Sequence, residues 1–277
     1  MEWLSALAAA LLLVAAVGAD ELPQPVRESF NCTLDGSRWP YLVQAPEGEP
    51  EALLIYLHGH YSDENQGMAL GIYNDAFGKL RRECLQRRWA YVTAWYGGNS
   101  WMGPVGEAGL ADLIALLRQR WPDRPVYLCG GSMGGSAALV FAVRRPDLLN
   151  GVAVFCPAGD VESYYAFAAA SADPTLQNIA AAIKLHYTVE GRGLADELAA
   201  RSALRHAESL TMPVYLAHGA ADGLVPVAGV RALAARLQGL GRTFSYVESP
   251  AGGHDTPILQ VNWPEVLDFL GGAGAAR

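Results

Sequence analysis

The chain has 277 residues, of which 51% are hydrophobic, and a formal net charge of −8. This length allows one large α/β domain or two small ones, and the apolar fraction is ample for a buried core. The acidic balance excludes the basic surface that nucleic-acid binding requires. Glycine and proline are spread along the chain, so no low-complexity linker and no internal repeat stand out.

Leu4 to Val17 is almost wholly apolar and runs into Val17-Gly18-Ala19, then Asp20-Glu21. The small-residue ending fits cleavage by signal peptidase after Ala19, and the run is shorter than the ~20 residues a membrane span needs. Residues 1–19 are therefore expected to be a signal peptide, although Met1-Glu2-Trp3 lacks a basic residue. The alternative is an uncleaved anchor or a buried helix. Residues 20–277 are expected to form a single α/β domain, secreted or periplasmic, without stable membrane insertion. Losing Glu2 with the leader takes the charge from −8 to −7. Export permits disulfides, and Cys32, Cys84, Cys129 and Cys156 allow three pairings. Cys32 with Cys84 is the favoured bridge, while Cys129 and Cys156 end strands as small buried hydrophobes. No CxxC pair or Cys/His cluster suggests a metal site.

Trp39 to Val43 reads as an early strand. Ala52 to Leu57 is a continuous apolar run ending in His58-Gly59-His60-Tyr61, as suits a strand buried on both faces of a parallel sheet. A helix is expected over 66–88 and a strand over Ala90 to Ala94, followed by Trp95 to Trp101. Residues 105–120 place Leu110, Leu113, Ile114 and Leu117 on one helical face. Strand 126–129 leads through Gly130-Gly131-Ser132-Met133-Gly134 into a helix ending near Arg144, and Gly151 to Phe155 is another strand. Residues 160–210 form an Ala-rich helical insert with breaks, a possible cap over the site. Val214 to His218 and Thr243 to Val247 are strands; 227–239 and 258–270 are helices. Strands alternating with helices predict an α/β fold with a mostly parallel central sheet flanked by helices on both faces. In such sheets, sites form beyond the carboxyl ends of the strands.

Ser132 sits in a strand-to-helix turn of the form G-x-S-x-G, which presents a serine hydroxyl above the sheet. Such a nucleophile needs a base, and imidazole suits neutral pH when a carboxylate fixes its tautomer. His254, in the flexible Gly252-Gly253-His254 loop after the last strand, is the candidate base. His218 and His58 end buried strands and read as structural, each with a satisfied ring, and His186 and His206 as residues of the insert's surface. Asp222, in the loop after strand 214–218, is the candidate acid, with Asp160 as its rival and Glu248 and Asp255 as weaker ones. The oxyanion of an attacked carbonyl needs preorganised N–H donors. The amide of Met133 and, from the loop freed by Gly59, that of His60, with that of Tyr61 next, are the candidates, and the His60 side chain is incidental. Tyr61, Trp95, Trp101 and Tyr164 are candidates for lining an acyl pocket, and Trp101 is expected to overhang Ser132.

Four stretches carry a resemblance: His58-Gly59-His60, Gly130-Gly131-Ser132-Met133-Gly134-Gly135, His218 to Pro226 and Gly252-Gly253-His254. Together, from about residue 40 onward, they resemble the α/β-hydrolase superfamily, in particular secreted esterases and prolyl-oligopeptidase-like hydrolases. Ser-Met-Gly-Gly also looks like feruloyl and acetylxylan esterases and polyester depolymerases. The resemblance implies acyl transfer to water through an acyl-serine, with no cofactor and no metal. It points to a carboxylesterase for short-chain or hydroxycinnamoyl esters, small or polymer-linked. A prolyl-oligopeptidase-like peptidase is the alternative, disfavoured because the residues before the first strand are too few for a propeller. A non-catalytic binding protein of the same fold is the second. Mass spectrometry of the exported protein should find its N-terminus at or near Asp20; an intact Met1 or Glu2 would indicate an anchor.

Overall fold

The computed structural model describes residues 22–68, 71–189 and 191–272; the expected signal peptide, 1–19, lies outside them. Eight strands form one sheet: β1 (Val26–Asn31), β2 (Arg38–Gln44), β3 (Ala52–Leu57), β4 (Trp89–Ala94), β5 (Val126–Gly131), β6 (Gly151–Phe155), β7 (Val214–Gly219) and β8 (Phe244–Ser249). Their spatial order is β1-β2-β4-β3-β5-β6-β7-β8. β1 with β2 and β2 with β4 pair antiparallel; all other pairs are parallel. Every residue of β3, β4, β6 and β7 is buried, which explains their unbroken apolar runs.

The sheet separates two cores. Alternate residues of β3 divide between them: Leu53, Ile55 and Leu57 face one, Leu54 and Tyr56 the other. The first core packs beneath α2 (Pro104–Arg120), α3 (Met133–Arg144) and α7 (Ala228–Gly239), the second beneath α1 (Asn74–Gln86) and two C-terminal helices. The helix expected over 66–88 is shorter, because Gln66–Met68 and Gly71–Tyr73 are separate 3₁₀ turns before α1. The helix expected over 258–270 divides into α8 (Thr256–Leu259) and α9 (Trp263–Leu270), with Pro264 in the first turn of α9. The insert resolves into α4 (Val161–Ala170), α5 (Pro174–Tyr187) and α6 (Leu194–Arg201). Strand β1 escapes sequence reading because only Phe30 of its six residues is buried, as suits an edge strand.

The expected Cys32–Cys84 bridge does not form, and all four cysteines are buried free thiols. Cys32 belongs to the core on one side of the sheet and Cys84, on α1, to that on the other.

Chain order and strand order diverge around β3: the chain goes to β4 on one side, then crosses to β5 on the other. That reversal opens a crevice beyond the carboxyl ends of β3 and β5. The insert is fastened beside it. Arg201, 1% exposed, donates to Glu197 at 3.0 Å, to Glu107 of α2 at 2.6 Å and to the Met102 carbonyl at 3.0 Å. The Tyr187 hydroxyl donates to the Trp101 carbonyl at 2.7 Å. Arg201→Met should leave Glu197 and Glu107 with only the more exposed Arg192 and Arg144 and cost about 3 kcal/mol, the low end for a broken buried pair, read as a lower urea midpoint; an unchanged midpoint would show that the network does not hold the insert.

Candidate active site

Ser132 lies between β5 and α3 with φ 56° and ψ −121°. A non-glycine residue there is strained by about 1–3 kcal/mol, and the surroundings must enforce it. They do so by packing. A Cβ at Gly134 would stand 2.0 Å from the Leu57 carbonyl oxygen, and one at Gly130 would stand 2.5 Å from the Gly134 carbonyl carbon. Only glycine lets α3 come down on the ends of β3 and β5. The Ser132 amide donates to Phe155 O at 2.8 Å, and both the amide and the hydroxyl of Ser136 donate to Ser132 O at 2.9 Å.

The structure brings Ser132, His254 and Asp222 together. His254 Nε2 is 2.9 Å from Ser132 Oγ, and its Nδ1 is 2.7 Å from Asp222 Oδ2. The other Asp222 oxygen, Oδ1, accepts the amides of Leu224 and Val225, each at 2.9 Å. Burial alone would raise the Asp222 pKa, but bonds from His218 and His254 and the Val225 amide hold it well below the usual carboxylate range. Asp222 is thus an acceptor on the imidazole, so His254 carries its proton on Nδ1 and offers a bare Nε2 to the serine.

Asp160, the rival acid, does other work. It caps α4 by accepting the Ser163 amide at 3.1 Å, and it accepts the Ser202 hydroxyl. Glu248 is bidentate to Arg231 at 2.6 and 2.9 Å. Asp255 accepts the Tyr73 hydroxyl at 2.6 Å. Of the insert's histidines, His206 contacts Ala199 O at 3.1 Å and His186 packs its backbone against Gly103; neither touches Ser132.

The two strand-end histidines are less inert than their positions suggest. His218 donates from Nε2 to the Val225 carbonyl at 2.9 Å, and the same nitrogen is 3.4 Å from Asp222 Oδ2. His58 donates from Nδ1 to the Gly59 carbonyl at 2.9 Å. Burial pushes the His58 pKa down to about 4. The expectation that both rings are fully satisfied fails: among the described residues His58 Nε2 and His218 Nδ1 have no partner.

The His58–Gly59 contact orients a peptide. In a trans peptide the C=O and the next N–H point opposite ways, so fixing the Gly59 carbonyl sends the His60 amide the other way. Among the described residues that amide has no hydrogen-bond partner. Met133 is the first residue of α3, so its N–H also lacks a helical acceptor. The Gly59 amide is taken by Gln66 Oε1 at 2.6 Å.

A cavity of about 180 Å³ opens at Ser132, with Gly59, His60, Tyr61 and His254 among its lining residues. Tyr56, Phe155 and Ile258 contribute from the strand ends and α8, and Thr175 and Ile179 from α5. Sequence reading missed these five. The signals were present but weak: Tyr56 and Phe155 end or nearly end their strands, and Thr175 and Ile179 are a helical i, i+4 pair.

Of the four expected pocket aromatics, only Tyr61 lines this cavity; it is 65% exposed. Trp101 does not overhang Ser132: it is 1% exposed, 5.3 Å from Tyr164 ring to ring, and donates from Nε1 to His60 Nδ1 at 3.3 Å. Tyr164 is buried too, its hydroxyl aimed at Leu224 O at 3.4 Å, and it borders a separate cavity beside α4. Trp95 stacks on His58 at 5.6 Å. The physical reason lies in the backbone after β4, where φ of 48° at Trp101 and 62° at Met102 turns the loop inward.

Cys156 stands beside the triad, its thiol donating to the His254 carbonyl. Its Sγ and donor atoms of Asp222 and His254 lie within 4.8 Å of one another. The carboxylate and imidazole are already hydrogen-bonded to each other, and burial followed by the Asp222 charge pushes the thiol pKa up. This favours a neutral thiol over the thiolate a metal would require.

Comparison with known proteins bears on the fold. Residues 108–199, which include Ser132, match the family model of the serine aminopeptidase, S33. No curated protein matches the sequence. A puromycin-hydrolyzing peptidase of Mycobacterium tuberculosis superposes with a TM-score of 0.67 at 20% identity, over 90% of this chain and 39% of that one. Est1E from Butyrivibrio proteoclasticus superposes with a TM-score of 0.62 at 14% identity, over 89% and 97% of the two chains. An S-formylglutathione hydrolase from Agrobacterium tumefaciens does so with a TM-score of 0.64 at 16% identity, over 88% and 93%. The chain thus spans about two fifths of the peptidase and nearly the whole of the other two. With its reversed strand order, its serine elbow after β5 and Asp222 and His254 after β7 and β8, the chain has the α/β-hydrolase fold.

Proposed function

We propose that the protein is a serine carboxylic-ester hydrolase for short-chain or hydroxycinnamoyl esters, with the alcohol free or part of a polysaccharide or polyester. The observation that carries this is the hydrogen-bonded series Ser132–His254–Asp222, open to a small cavity. Ser132 Oγ attacks the ester carbonyl carbon while His254 Nε2 takes its proton. The oxyanion rests on the amides of Met133 and His60. His254 then returns the proton to the departing alcohol as the C–O bond breaks. Water repeats the sequence on the acyl-serine, releasing the acid. Asp222 stays ionised and stabilises the imidazolium.

The cavity supports a small, neutral acyl group. Its volume of about 180 Å³ is below the roughly 300–1,000 Å³ typical of sites for drug-sized ligands. Its acidic member outside the triad, Asp255, is engaged by Tyr73. The name of the S-formylglutathione hydrolase, matched over nearly its whole length, leans the same way. Action outside the cytoplasm rests on residues 1–19 alone. The description of the matching family model favours a peptidase as the second reading.

Ser132→Ala should abolish turnover of p-nitrophenyl acetate and leave the melting temperature in place, and a serine-directed phosphonate should label Ser132 in the parent protein. Labelling at another residue would end the reading.

Asp222→Asn should lower kcat by about 10⁴, because the amide favours the wrong imidazole tautomer. Asp160→Asn should lower stability and spare kcat. The reverse pattern would move the acid to the end of β6.

A series of p-nitrophenyl esters should show kcat/KM falling steeply from C2 to C16. Equal values along the series would indicate a lipase, and a peptide amide cleaved as fast as the ester would indicate a peptidase.

A further inference from the structure

The side chain of His60 sits in a setting that oxyanion donation by its amide does not require. Its ring bridges two elements far apart in sequence. Trp101 donates from Nε1 to His60 Nδ1 at 3.3 Å, and His60 Nε2 is 3.0 Å from Asn178 Oδ1 on α5. An indole N–H can only donate, so Nδ1 must be the bare nitrogen and Nε2 the protonated one. The ring therefore has one defined tautomer with both nitrogens satisfied. Partial burial lowers its pKa and favours this neutral form, with Asn178 acting the other way.

The ring is attached to the same residue whose amide faces the cavity. The peptide before it is already held from behind, with His58 on the Gly59 carbonyl and Gln66 on the Gly59 amide. Those contacts hold the Gly59 end of the peptide that carries the His60 N–H, and the clamped ring, by fixing the His60 Cα, holds the other end. Tyr61, the next residue, has φ of 62° and gives its own amide to Asn99 Oδ1 at 2.9 Å, so the loop turns sharply just beyond His60.

We propose that the His60 imidazole, clamped between Trp101 and Asn178, is a positioning residue that aims the His60 amide at the oxyanion. This rests on the acyl-transfer reading above. It also changes the role of the insert. Helix α5 supplies Thr175 and Ile179 to the cavity and, through Asn178, fixes one of the oxyanion donors. Trp101 then contributes to catalysis through His60 without touching substrate.

The test is steady-state hydrolysis of p-nitrophenyl acetate by the full chain and its His60→Ala, His60→Gln and Asn178→Ala variants, alongside affinity for a boronic-acid transition-state analogue. Asn178 is exposed, so its replacement leaves the core intact. Removing an oxyanion donor outright costs about 10²–10³ in kcat, so misaiming one should cost roughly 10- to 100-fold. His60→Ala and Asn178→Ala should lose kcat in that range, with KM within about threefold and the analogue bound correspondingly more weakly. Glutamine can accept from Trp101 through Oε1 and donate to Asn178 through Nε2, so His60→Gln should recover most of the loss. Wild-type kcat in either alanine variant would overturn the proposal. So would a rise in KM at constant kcat, or a glutamine variant no better than alanine. A parent protein that neither turns over any ester nor takes the phosphonate at Ser132 would instead sink the hydrolase reading, and this one with it.

Discussion

The contact on which the site depends is the descent of α3 onto the end of β3, where Gly134 lies against the Leu57 carbonyl so closely that a methyl group would stand 2.0 Å from it. This approach forces the chain through a left-handed conformation at Ser132. The serine is thereby held above the sheet, and the first amide of α3 is left without a helical partner. Local strain of about 1–3 kcal/mol is offset by the packing of α3 on both neighbouring strands. The same contact brings the loop after β3, with its His60 amide, beside the serine. The raised Ser132 and the two unpaired amides beside it, among the described residues, are thus consequences of one close approach.

Asp222 and His254 are set by a different constraint. Asp222 carries three hydrogen bonds at once, two from backbone amides of its own loop and one from His254, and His218 stands under it at 3.4 Å. A carboxylate so supplied with donors stays ionised despite burial and leaves His254 a single productive tautomer. The loop reaching from Asp222 to Val225 also accepts Tyr164 and His218 at its carbonyls, which ties the insert to the acid.

The insert is fastened to the rest of the domain at three points. Arg201 joins it to α2, Tyr187 to the loop after β4, and Asn178 to His60. The first two are buried: an ion pair at Arg201 and a neutral hydrogen bond from the Tyr187 hydroxyl. Through Thr175 and Ile179 of α5 the insert also lines the modest cavity at Ser132.

Much of this architecture was legible in the chain. Strands buried on both faces show as unbroken apolar runs, so β3, β4, β6 and β7 could be read, as could the elbow, whose glycines are a steric requirement. Ser132, Asp222 and His254 stood out because each follows a strand whose end could be located. Strand β1 was hidden, since an edge strand with one buried residue has no apolar pattern. The cysteine pairing failed because a plausible pair in sequence lay on opposite faces of the sheet. The aromatic residues after β4 were misplaced because loop direction depends on a few positive φ angles and on what packs beneath. Amino-acid order by itself determined the buried strands, the turn and the three residues that follow strand ends, because burial and steric exclusion act within a few residues. Only the tertiary structure decided which loop side chains face Ser132 and that His60 is gripped by Trp101 and Asn178. Those contacts span 41 and 118 residues, and no local pattern encodes them.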